Sequence, residues 1–203
     1  MIEAEFDDLT LRLETSPRLF SPEAVDRGTL AMLSFVELCP DDRVLDLGCG
    51  CGVVGILAAR RLSPEQVVLC DVLPEAAELA RANAARNGVG ECRIYVSDGF
   101  RGFSESDFTL ILSNPPYHTD FSVAKHFIEE GFRRLQTGGR MFLVTKRRGW
   151  YENKLKAVFG GCLVWEKDGY FVVCAEKRQS GARRREKKPE QRLSKKLARR
   201  YGK

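Results

Sequence analysis

The sequence predicts an α/β domain built on a parallel, doubly wound sheet. Short apolar runs alternate with helical stretches through most of the chain, and several of the apolar runs end in an aspartate or a glycine cluster. At 203 residues, 43% hydrophobic and 30% charged, the chain has material for one domain with a substantial core plus a modest extension.

Arg43-Val-Leu-Asp-Leu47 is a nearly continuous apolar run, the pattern of a strand buried on both faces, and the glycines after it lead into a helix over Val53 to Arg61. Val67 to Cys70 repeats the strand signal. Pro74 then opens an alanine-rich helix that Asn87-Gly88 closes, with proline at the first helical position and glycine beyond the end. Further strands are predicted at Cys92 to Val96, Thr109 to Ser113 and Met141 to Thr145, with helices over about 121–136 and 151–158. Leu163 to Glu166 and Tyr170 to Glu176 flank the tight-turn signal Lys167-Asp-Gly, so the body of the chain should end in an antiparallel hairpin. On this reading residues 1–40 are a lead-in within the same domain, 41–176 the core and 177–203 a tail.

Charge divides at the last of these boundaries. From Lys177 to Lys203 there are 13 Lys/Arg against two acids, a net +11, leaving 20 bases and 26 acids, a net −6, for the residues before them. Leu193, Leu197 and Tyr201 after Pro189 have the spacing of a short amphipathic helix. Thirteen cations in 27 residues favour attraction to nucleic acid over a merely solvated terminus. No apolar run approaches the roughly 18 to 20 residues of a membrane span, and the N-terminus is acidic where a signal peptide is basic, so a cytoplasmic protein is expected. Seven cysteines without CxxC spacing argue against a disulfide framework or a zinc site, and neither histidine, His118 or His126, has metal-ligand spacing to a Cys, Asp or Glu. No metal is expected.

Asp46-Leu-Gly-Cys-Gly-Cys-Gly52 closes the first strong strand, where a parallel sheet offers its ligand crevice. Gly48, Gly50 and Gly52 allow backbone to approach a ligand closely. The dinucleotide fingerprint would need a glycine at Val53, and no P-loop sequence is present. Asp71 ends the next strand and can accept both ribose hydroxyls of a nucleoside; Asp98-Gly99 follows the third and can accept an adenine amino group. An acid after each of three successive strands favours a nucleoside-type cofactor. Cys49 and Cys51 read as small packing residues of this loop, not as nucleophiles.

Ser113-Asn-Pro-Pro-Tyr117 ends the fourth strand. Its two prolines remove backbone donors and stiffen the segment, leaving carbonyls and the Asn114 amide oxygen to accept hydrogen bonds. Such a site suits a planar amino group, whose lone pair, released from conjugation by two accepted N–H bonds, can be aimed at an electrophilic methyl. Tyr117 can stack on the base that carries the amine. Lys146-Arg-Arg148 follows the fifth strand at the same edge and can add to a phosphate-binding surface.

These residues resemble the class I S-adenosylmethionine-dependent methyltransferases and, within them, the methyltransferase small domain family, over about Pro17 to Lys177. Further likenesses are Leu19-Phe-Ser21 with Asp26-Arg-Gly-Thr29, His118 after the Asn-Pro-Pro-Tyr segment, Gln136-Thr-Gly-Gly139, Phe159-Gly, and Gly169-Tyr-Phe-Val. The resemblance implies a Rossmann-like seven-stranded sheet of order 3-2-1-4-5-7-6 with strand 7 antiparallel, and S-adenosylmethionine as cofactor. It implies that Asp46, Gly48, Gly50 and Gly52 line the methionine part, Asp71 the ribose and Asp98 the adenine, with Cys49, Val72, Gly99 and, secondarily, Asn114 also binding the cofactor. Asn114, Pro115, Pro116 and Tyr117 would hold the target amine. It further implies methylation of an RNA exocyclic amine, foremost guanine N2 of ribosomal RNA, with adenine N6 or a protein glutamine as alternative acceptors and a catalytically inactive RNA-binding module as another class. Many of the ribosomal RNA enzymes carry a degenerate second copy of the domain before the catalytic one; only about 40 residues precede the glycine loop here, which makes the basic tail a candidate for substrate recognition.

Overall fold

The computed structural model describes residues 1–7, 9–19, 21, 23–116 and 121–179. The predicted basic helix after Pro189, Tyr117 and His118 lie outside the described residues. The chain runs β1 (Ile2–Phe6), β2 (Leu9–Leu13), α1 (Arg27–Leu33), β3 (Val44–Leu47), α2 (Val53–Arg61), β4 (Val67–Asp71), α3 (Pro74–Arg86) and β5 (Arg93–Val96). It continues through β6 (Phe108–Ser113), α4 (Ser122–Arg134), β7 (Leu135–Thr145), α5 (Arg148–Phe159), β8 (Leu163–Lys167) and β9 (Tyr170–Glu176).

Seven strands form one sheet in the order β5-β4-β3-β6-β7-β9-β8. Numbered within the sheet this is 3-2-1-4-5-7-6. Strand β9 is antiparallel to both its neighbours and the others are parallel. The continuous apolar runs have the predicted cause: β3 is buried at every position, because helices cover both faces. On one face Val44, Leu69 and Leu110 pack with α1, α2, α3 and the N-terminal hairpin. On the other, Leu45, Val68 and Ile111 pack with Phe127 and Ile128 of α4 and with Tyr151 and Leu155 of α5. The closing hairpin turns on Asp168 and Gly169, both with positive φ (53° and 78°), as a two-residue type I′ turn requires.

Two regions differ from the sequence expectation. The helix predicted to about residue 136 stops at Arg134, and Leu135 already pairs with Phe108 in β7. The segment from Gln136 to Gly139 bulges out of register before Arg140 pairs with Leu110, and Gly138 N–H donates to the Lys177 carbonyl. Lys177 N–H in turn donates to the Gly139 carbonyl, so the first residue assigned to the tail by composition prolongs the pairing of β7 with β9.

The lead-in also contains more structure than its sequence announced. Strands β1 and β2 form an antiparallel hairpin, and Leu11 and Leu13 are fully buried against α2 and α3. Burial of each contributes roughly 1.5–3 kcal/mol relative to exposure. Asn83 of α3 and Asn87, which caps its C-terminus, hold the hairpin by mimicking a partner strand. Asn87 accepts from Arg12 N–H and donates to the Arg12 carbonyl (3.0 and 2.8 Å); Asn83 does the same with Glu14 (2.7 and 2.8 Å).

Candidate active site

A cavity of about 470 Å³ opens at the C-terminal ends of β3, β4, β5 and β6. Asp46, Gly48, Cys49, Gly50, Asp71, Val72, Asp98, Gly99, Asn114, Pro115 and Pro116 all line it. Gly52 is not among the lining residues. It caps the N-terminus of α2 at φ 91°, and an added Cβ would press within 3.2 Å of the Ala80 side chain, so its role is close packing of α2 on α3. Gly48 and Gly50 also have positive φ, and the space where a Gly50 side chain would stand is open, which leaves backbone bare to the cavity.

The glycine loop is held from three directions. Gly48 and Cys49 N–H groups both donate to the Cys70 carbonyl (2.9 Å each). Asp71 Oδ2 accepts from Gly50 N–H (2.9 Å) while its Oδ1 accepts from Leu73 N–H (3.0 Å). Asn83 Nδ2, from below, donates to the Cys51 carbonyl (3.0 Å). Sequence reasoning missed Asn83, because a lone asparagine in an alanine-rich helix has no local signature; only its complete burial reveals it.

Asp46 is 4% exposed and accepts from Gly55 N–H at 2.8 Å. Burial raises its pKa from 3.8 to about 7 against the opposing effect of that N–H, with the charge of Asp71 adding to the rise. Thiols in and beneath the loop are pushed the same way: burial first, then the Asp46 and Asp71 charges, hold Cys49 well above its ordinary range, and burial takes Cys70 of β4 to about 12. Protonated, desolvated thiols are poor nucleophiles, in line with the packing role read from the sequence. Cys49 and Cys51 are free, as are the other five cysteines.

At the end of β5, buried Ser97 donates to the Gly99 carbonyl and accepts from Gly102 N–H (2.7 Å each). That tight turn presents Asp98 to solvent, ion-paired with Arg101. Gly99 has φ 61°, and a side chain there would strike the His126 ring at 2.7 Å. His126 Nε2, behind that glycine, is the one buried side-chain nitrogen or oxygen without a hydrogen-bond partner among the described residues.

Asn114 is oriented from a direction the sequence did not announce. Its Nδ2 donates to Asp26 Oδ2 (2.8 Å) and Thr29 Oγ1 (3.1 Å), and the same Asp26 oxygen caps α1 by accepting Thr29 N–H (2.9 Å). With both amide hydrogens so engaged, Oδ1 is the end of the side chain left to accept from a ligand. Gly28 permits this arrangement: an added Cβ would lie 2.8 Å from the Tyr170 ring and 2.9 Å from the Asp26 carboxylate. Asp26 and Thr29 were legible only as part of a family likeness, since their partner lies 85 or more residues away.

The charge of the lining decides what fits. Asp26, Asp46, Asp71 and Asp98 contribute carboxylates, and no lysine or arginine lines the cavity among the described residues. A nucleotide phosphate would be repelled; a cationic nucleoside would be attracted.

Residues 10–175 match the family model described as the methyltransferase small domain. The chain belongs to that family. It is similar to "Ribosomal RNA small subunit methyltransferase C" of Cronobacter sakazakii, 35% identical over 175 residues, which are 84% of this chain and 50% of the relative. The protein of that name from Pseudomonas putida is 32% identical over 178 residues, 85% and 53% of the two chains. Among solved structures, it is similar to the Thermus thermophilus 16S rRNA guanine-N2 methyltransferase in complex with AdoMet and guanosine, with a TM-score of 0.81 and 27% identity over 87% of this chain and 50% of that one. The chain therefore spans about half the length of the relatives it matches. The family match includes the glycine loop, Asp71, Asp98 and the Asn114 segment.

Proposed function

We propose that this protein is an S-adenosylmethionine-dependent methyltransferase acting on an exocyclic amine of RNA, foremost guanine N2 of ribosomal RNA. The observation that carries the reading is the engagement of both Asn114 amide hydrogens by Asp26 and Thr29, which reserves Oδ1 for a donor. Together with the Pro115 carbonyl it offers two acceptors to one NH2 group. The relatives named above, with their ribosomal RNA titles, support the RNA acceptor.

When bound, the cofactor supplies an electrophilic methyl on a sulfonium. The chain's own residues bind and orient. Asp71 retains free lone pairs beside its two backbone bonds for ribose hydroxyls, Asp98 is assigned to the adenine amine, and the Gly48–Gly50 backbone to the methionine end. Asn114 Oδ1 and the Pro115 carbonyl hold the acceptor nitrogen with its lone pair turned toward the cavity. Tyr117, next in sequence after Pro116, is assigned to stacking on the base. No strong base is needed, because catalysis rests on alignment of a nucleophile with an already activated methyl. The basic tail is assigned to nonspecific RNA attraction.

The test is to offer labelled S-adenosylmethionine with small-subunit particles, naked ribosomal RNA and soluble protein from cells lacking this gene, and to identify the labelled product. Labelled N2-methylguanosine is the expected result. Label in a protein glutamine or in N6-methyladenosine would replace the acceptor; no label in any pool would overturn the activity.

A further inference from the structure

Beyond the cavity, the end of β7 carries three consecutive exposed cations, Lys146, Arg147 and Arg148. Strand β7 pairs directly with β6, with Ser113 opposite Leu143, so Asn114 and Lys146 leave the sheet side by side, about 8 Å apart by ordinary strand spacings. All three cations stand against aromatic rings. Lys146 Nζ is 4.7 Å from the Tyr170 ring centre, Arg147 Cζ 5.2 Å from Phe121 and Arg148 Cζ 5.9 Å from Phe171. Phe121 also stacks on Trp150 at 4.2 Å and 9°. Tyr170 ties this cluster to the site: it is the ring against which Gly28 packs, two residues from the Asp26 that holds Asn114.

We infer that Lys146 and Arg147 form a track for the phosphate backbone of the RNA strand that delivers its base to Asn114. Charge gives the occupant. The first 176 residues carry a net −6, against which three consecutive exposed cations at the end of β7 form a local positive cluster. A guanidinium lying on a ring keeps its edge N–H groups for bidentate phosphate contact, while Lys146 contributes a point charge. The test is made at Lys146 and Arg147, which leaves the Arg148–Glu152 ion pair (3.1 Å) intact. The proximity argument rests on the reading of Asn114 given above; the charge argument does not.

The test uses the full chain, tail included. RNA affinity is measured across a salt series with a short guanine-containing single-stranded oligoribonucleotide, for wild type, for Lys146→Gln/Arg147→Gln, and for the charge-keeping pair Lys146→Arg/Arg147→Lys. Loss of two phosphate contacts should shallow the slope of log Kobs against log salt by about 1.4, at about 0.7 per contact. The charge-keeping pair should retain the wild-type slope, and both variants should bind S-adenosylmethionine like wild type, which verifies the fold. An unchanged slope in the Gln pair overturns the track, as does an equal loss in the charge-keeping pair. If the wild type methylates RNA while the Gln pair keeps its slope, the track fails and the activity stands. If the slope falls but label enters only protein, the activity reading fails and the RNA surface stands.

Discussion

At the C-terminal edge of the sheet, the side proposed to take the cofactor and the side proposed to take the substrate carry opposite charge. Carboxylates occur at or just after β3, β4 and β5, as Asp46, Asp71 and Asp98; β7 is followed by Lys146, Arg147 and Arg148. Between them β6 is followed by neutral Asn114. The difference matches two ligands of opposite sign: a sulfonium cofactor suits the acidic side, and a polyanion suits the basic one. On the proposed function the reacting atoms would meet between these two fields. Asp98, paired with Arg101, is the point at which the acidic side is already partly neutralised.

The boundary residue should give the largest effect. Asn114→Ala removes the acceptor that aims the amine, and by comparison with loss of a single transition-state hydrogen bond kcat should fall about 100- to 1000-fold. Affinity for S-adenosylmethionine should change far less, since that ligand is assigned to the other half. Calorimetry beside single-turnover rates checks both. Comparable losses in rate and cofactor affinity would erase the division between the halves.

On the acidic side, Asp71→Ala should act in the opposite manner. Each charged hydrogen bond lost costs about 1.5–3 kcal/mol, so the cofactor dissociation constant should rise about 10- to 100-fold, with the circular dichroism spectrum retained because the residue stands at a strand end. Part of that loss is indirect, since Asp71 also holds the Gly50 and Leu73 N–H groups. Unchanged affinity in a folded variant would remove the ribose assignment.

These assignments show where the sequence was legible. Buried parallel strands announce themselves because every residue of Val44–Leu47 must be apolar or internally bonded, and glycines and acids at strand ends are local signals. The sheet order came from family resemblance, since pairing is a long-range property. Residues acting across the chain were silent. Asn83 reaches Glu14 and Cys51, Asp26 reaches Asn114, and the bulge after Leu135 exists because Gly138 and Gly139 pair with Lys177. None of these contacts leaves a periodicity to read. Gly52 illustrates the converse: its spacing suggested ligand approach, while its surroundings show helix packing against Ala80.

Asp26 tests whether the boundary is built from outside the sheet. In Asp26→Asn the helix cap can persist, because an amide oxygen can still accept Thr29 N–H, but the anion beside Asn114 is gone. Weakening one charged hydrogen bond near its lower limit predicts about a tenfold loss in kcat. If Asp26 acts through Asn114, the double variant Asn114→Ala/Asp26→Asn should be no slower than Asn114→Ala alone. Additive losses would assign Asp26 a separate role.

The smallest effect belongs to pH. Asp46 titrates near 7 in the folded chain against 3.8 ordinarily, chiefly because it is buried. Its ionised form is thus disfavoured by folding: the stability it contributes is greatest below about 4, falls as the pH rises toward 7, and is constant above that. A cation bound in the same cavity reverses the preference and stabilises the carboxylate. Binding S-adenosylmethionine at about pH 6.5 should therefore release most of one proton, and affinity should rise about fourfold between roughly pH 6.5 and 8, as expected for a single group titrating near 7. Calorimetry at the lower pH in two buffers of different ionisation enthalpy counts the proton directly. Asp46→Asn should abolish both the release and the pH dependence. Wild-type binding without proton release would mean that the cofactor's positive charge does not reach Asp46, and that the acidic half of the edge holds its ligand through Asp71 and backbone alone.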